Sequence, residues 1–134
     1  MYLSELNVGE KKNFLELAKF SMGVNGEHKA EEQDIYYSFQ QECGLVDYQL
    51  LKQDKIESVI KVLARSSAKA KRIILLELFG ILLADGEICS EEADFIQQLT
   101  SSLEIDEFEA KRIQRWVIAM NDMVSEGFSL INKE

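Results

Sequence analysis

No proline occurs in the 134 residues, so nothing in the chain interrupts a helical hydrogen-bond ladder. Cysteine is scarce: Cys43 and Cys89 stand far apart and form no CxxC pair, which suits a reducing compartment better than a disulfide framework. Histidine occurs once, at His28, so neither a two-histidine metal site nor a histidine-based triad can be assembled within one chain. Basic residues are outnumbered, 15 against 24 acidic, and a net charge of −9 excludes general nucleic-acid binding by phosphate neutralisation. Long apolar runs are missing too. The most apolar stretch, Ile73 to Ala84, contains Glu77 and is too short to cross a bilayer. The opening MYLSELNVGEKK has no apolar signal core. The expectation is a soluble, cytoplasmic protein with no membrane and no nucleic-acid partner. With no phosphate-binding glycine loop and no nucleophile–base set, the chain is expected not to be an enzyme.

What remains is rich in Leu, Ile, Glu, Lys, Ala and Gln, a composition that favours helices. The length fits one domain over residues 1–134. Helical spacing puts Phe14, Leu17, Ala18 and Met22 on one face of a helix from about Gly9 to Val24, stopped by Asn25-Gly26. A second helix runs from about Lys29 to Cys43, with Ile35, Tyr36 and Phe39 inward and Gly44 ending it. Residues 45–65 read as one or two shorter helices with Leu50, Leu51, Ile56, Val59, Ile60 and Leu63 inward. Ser66 or Ser67 caps the next, which carries the apolar run to Asp85 and should be the most buried. Another spans about Ser90 to Leu103. Asp106 caps a last long helix, in which Phe108, Arg112, Ile113, Trp116, Val117, Met120 and Val124 recur at three- and four-residue steps as a core stripe. The fold class is all-α.

A shift of 60 residues aligns NGEHKAEEQDI, Asn25 to Ile35, with DGEICSEEADF, Asp85 to Phe95, without a gap. Each copy follows an apolar helix and precedes an amphipathic one. The chain therefore reads as two related helical hairpins, over about residues 10–44 and 67–104, sharing one core.

The acidic corner Asp85 to Glu92 admits more than one chemistry. As the second half of an EF-hand it fails, because Ile81 and Leu83 stand where the first ligands belong. As a helix-to-helix corner, Gly86 supplies the turn, Ile88 tucks inward, and glutamates in the first turn favour the positive helix end. As a cation site, Asp85 and Glu92, with Glu87 nearby, collect hard oxygens in one turn region. Asn25 and Glu32 can join them if the hairpins pack about a pseudo-twofold axis. Such oxygens suit Ca²⁺, Mg²⁺ or Mn²⁺ and not Zn²⁺.

A helix ending in ADGEI, then a polar cap and EE opening the next helix, after a degenerate NGE copy, resembles the TerB-like tellurite-resistance family. The resemblance runs from about Phe14 to Trp116. It implies a compact helical fold of two repeats and a metal-binding role for the paired acidic motifs, in bacterial stress response or tellurite resistance. By position, Asp85, Glu92 and Glu32 match the family's acidic residues. Asn25 stands where an aspartate is commoner, which removes a charge and weakens any site.

Other features carry lesser readings. Glu77 is expected to pair with a lysine or arginine, since an unpaired buried charge is costly. Cys89 is expected to be an inert capping thiol, because neighbouring glutamates oppose its ionisation. The segment from Lys52 to Arg72 carries a local charge of +5 against −14 for the rest. Its stretch Lys61 to Arg72 either docks an acidic partner or a second copy, or pairs with the acidic body. Two functions from different classes follow: non-catalytic binding of a divalent cation at the acidic corners, or a metal-free helical module for a protein partner.

Overall fold

The computed structural model describes residues 1–26, 30–84 and 86–133. Those residues form six helices and no strand: α1 Val8–Met22, α2 Ala30–Cys43, α3 Ile56–Leu63, α4 Ala68–Leu82, α5 Ser90–Ser102 and α6 Glu107–Ile131. Short 3-10 turns sit at Leu3–Glu5 and Gln53–Lys55. The starts follow from local chemistry. Asn7 and Glu10 form a capping box on α1, and Ser67 caps α4 through the Ala70 N–H. The Asp106 carboxylate accepts the Phe108 N–H at the head of α6.

Two helices form the centre. Phe14, Leu15, Leu17, Ala18 and Met22 of α1 and Ile74, Leu75, Leu78, Phe79, Ile81 and Leu82 of α4 are essentially inaccessible to water. The amphipathic α2 packs on both, α3 lies against α1, and α6 runs along α4 with α5 beside it. Burial recurs with the 60-residue offset well beyond the acidic corner. Phe14 and Ile74, Ala18 and Leu78, Met22 and Leu82, Tyr36 and Ile96, Phe39 and Leu99, and Cys43 and Leu103 are all buried pairs. Helix ends match as well. Gly44 and Glu104 both take positive φ, and the next residues, Leu45 and Ile105, donate back to Gln40 and Thr100.

Three expectations need correction. Residues 46–52 are not helical, and Leu51 is 74% exposed instead of inward. The cause is Glu16, a fully buried carboxylate that accepts the N–H groups of Leu51 at 2.8 Å and Lys52 at 3.1 Å. Backbone donors committed to that carboxylate are not free for a helix. Second, Glu77 is buried but pairs with no lysine or arginine among the described residues. It accepts from the Met1 ammonium and the Tyr2 N–H, both at 3.1 Å. Burial opposes the charge on that ammonium, yet Glu42 and Glu77 outweigh it and raise its pKa above 8.0. Third, the stripe on α6 is only partly core. Ala110 and Val117 are buried, whereas Phe108, Trp116 and Val124 are exposed.

Candidate functional site at the acidic helix corners

The α1–α2 and α4–α5 connections are built alike. Gly26 and Gly86 have φ of +78° and +90°, left-handed angles that a side chain resists. Beyond each, an acidic pair opens the next helix: Glu31 and Glu32 in α2, Glu91 and Glu92 in α5. Both third helical residues turn inward, leaving Glu32 4% and Glu92 2% exposed. The ring of Phe20, near the end of α1, stacks at 5.7 Å on Phe95 of α5 and ties the first hairpin to the second.

Glu92 is held by its own helix. Its Oε1 accepts the Cys89 N–H at 3.0 Å, while Cys89 Sγ accepts the Glu92 N–H, completing a capping box. Ile88 packs on the core, as a corner residue should. The Glu92 backbone N–H draws the Cys89 thiol toward ionisation. Partial burial and the carboxylates of Glu92 and Glu91 outweigh it and push the thiol pKa above its usual 9.0. Cys89 accordingly serves as the cap of α5. Glu91 moves the other way: its own backbone N–H, then Cys89, hold its carboxyl below the usual 4.5.

The other expected ligands are distributed differently. Glu87 is exposed at the surface of the second corner, and Asn25 is half-buried at the first. Asp85, on which the cation reading leaned most, lies outside the described residues, as do Glu27 and His28. Among the described residues no three His, Cys, Asp or Glu side chains gather closely enough to hold an ion.

Comparison with known families decides the kinship. The family model described as "Tellurite resistance protein TerB" matches residues 5–115. The chain belongs to the TerB family. No curated protein and no solved structure matches it. The TerB match ends one residue before Trp116, whose ring lies 6.4 Å from that of Tyr2, while α6 itself continues to Ile131.

That continuation holds the feature the sequence reading missed. Met123, Val124, Phe128, Leu130 and Ile131 are 52–76% exposed along this continuation of α6. The signal was legible, since Trp116, Met123 and Leu130 recur at seven-residue steps beside Val117, Val124 and Ile131. Spacing reports amphipathicity and not what covers the apolar side, so the same pattern fits a core stripe. No helix is long and apolar enough to cross a membrane among the described residues.

Proposed function

We infer that this TerB-family chain is a non-catalytic helical binding module, working by protein–protein contact in a bacterial stress-response assembly. The observation that carries the reading is the apolar face of α6 beyond Val117, which is too contiguous to be scattered surface residues. Family kinship and the resemblance of the DGEI corner supply the stress-response setting. A photo-crosslinking residue placed at Met123, within the apolar face, should give adducts in the living cell. The same residue at Ser125, on the polar flank, should give few. Equal yields at the two positions would remove the reading.

A second reading is favoured by the inward carboxylates of Glu32 and Glu92 at matching corners. A divalent cation of the Ca²⁺, Mg²⁺ or Mn²⁺ type would relieve crowding of acids there, with Asp85 and Glu92 as principal ligands and Glu87, Asn25 and Glu32 in support. Melting temperature of chelator-treated protein, followed during cation titration, tests it. Binding should raise the melting point in the parent but not in Asp85→Ala. Glu92→Gln should preserve the cap and still lose the cation response. A parent that does not respond to millimolar cation eliminates this reading.

A further inference from the structure

The exposed end of α6 has a matching surface on the same chain. A groove of about 520 Å³ opens between α4 and α6, with Tyr2, Ile73, Leu76, Ile113 and Trp116 as its apolar walls. Trp116, Met123 and Leu130 lie seven residues apart, hence along one flank of α6, the flank that borders this groove. The apolar tract thus runs unbroken from the groove to the tip of the helix. Val124, Phe128 and Ile131 widen the exposed apolar surface around the helix, with Phe128 on the side that also carries Asn121 and Asn132.

Charge complements shape. The groove rim includes Lys69 and Arg72, from a first turn of α4 that carries no acid, and Arg112 of α6. Glu5 answers Lys69 at 2.6 Å and Glu109 answers Arg112 at 3.4 Å, but the rim also lies at the positive end of α4. The last turn of α6, by contrast, has no basic residue to offset its unpaired carbonyls. A negative helix end with apolar side chains just before it is what such a groove accepts.

We propose that two copies of this chain pair through α6, antiparallel about a twofold axis near Met123, each tip inserting Leu130 and Ile131 into the α4–α6 groove of the other. The proposal rests on the binding-module reading and names the partner. In this arrangement residue 130 of one copy lies opposite residue 116 of the other. Both contacts are identical by symmetry, so the assembly closes as a dimer and does not propagate. An anionic lipid surface is the poorer occupant, since the apolar face lacks the basic flanks that hold an amphipathic helix to such a membrane.

Sedimentation velocity of the full chain over a wide concentration range is the test. The parent should show a monomer–dimer equilibrium with a dissociation constant on the order of 10 µM. Leu130→Asp at the tip and Trp116→Lys at the groove wall should each weaken it by about tenfold or more, with helical content unchanged. Arg72→Glu should weaken it more modestly. An equimolar mixture of Leu130→Asp and Trp116→Lys should recover dimer, because the mixed pair keeps one native contact and opposes Asp to Lys in the other. A parent monomeric at every concentration overturns the proposal. So does a dimer indifferent to both variants, or a mixture that recovers nothing. Binding of a monomeric parent to neutral vesicles would reassign the face to lipid and equally overturn it. If the parent is monomeric yet Met123 still yields crosslinks to another protein in the cell, self-pairing falls and the module reading stands.

Discussion

Glu16 does more for the shape of this molecule than its place in a helical stripe suggests. Its carboxylate is fully buried and accepts from Tyr48 Oη at 2.6 Å, the Leu51 and Lys52 N–H groups, and Gln53 Nε2 at 2.8 Å. Burial alone would raise its pKa, but these hydrogen bonds outweigh burial and hold it below 4.5. A depressed folded-state pKa contributes stability that is present above the unfolded value and is lost as pH falls through the folded one. Glu16→Ala, which strands two part-buried N–H groups and a hydroxyl, should cost about 2 kcal/mol in urea unfolding at neutral pH. Glu16→Gln should show a flatter loss of stability than the parent on acidification below pH 4.5. Tyr36 is a contrasting case. Its buried hydroxyl makes no hydrogen bond among the described residues, and desolvation pushes its pKa up to about 12. A helical pattern marks both residues by position alone, and only the folded neighbourhood separates a satisfied buried group from an unsatisfied one.

At the scale of elements, the helix ends were the most legible part of the chain. Asn7, Ser67, Cys89 and Asp106 each begin a helix at the place local chemistry allows. The end of α5 is an exception with a testable consequence. Glu104 takes φ of +56°, where its counterpart Gly44 has +69° without a side chain to strain. Glu104→Gly should therefore stabilise the protein by up to about 1 kcal/mol, read as a higher urea midpoint, despite the entropy that glycine returns to the unfolded chain. An unchanged or lower midpoint would show that the Glu104 side chain contributes more than its backbone loses. The segment between α2 and α3 was the least legible element. Its leucines fit a helical stripe, but its backbone donors are claimed by a carboxylate 35 residues away in sequence.

On the scale of the whole molecule, the decisive contrast lies along α6. Val117 is 1% exposed and Val124 is 52% exposed, although they sit two turns apart on the same side of one helix. Val117→Asp buries a charge against α4 and should lower the urea midpoint by about 3 kcal/mol in stability or abolish folding. Val124→Asp should cost less than about 0.5 kcal/mol at protein concentrations where the chain is monomeric. Equal losses from the two would mean the end of α6 is packed against the body.

Sequence by itself determined the helical class and where several helices begin and end. These rest on local rules: absent proline, three- and four-residue spacing, glycines at left-handed turns, and polar residues that satisfy bare helix ends. The 60-residue echo of NGE in DGE was readable for the same reason, and buried positions follow it through both hairpins. Tertiary structure decided what each group faces. It committed Glu92 to a cap, gave Glu77 to the chain's first amine, drew residues 51–53 to Glu16, and left the far half of α6 bare. A hydrophobic period states that a helix has an apolar side. Whether another part of the chain reaches far enough to cover that side depends on the lengths and crossings of all the helices together.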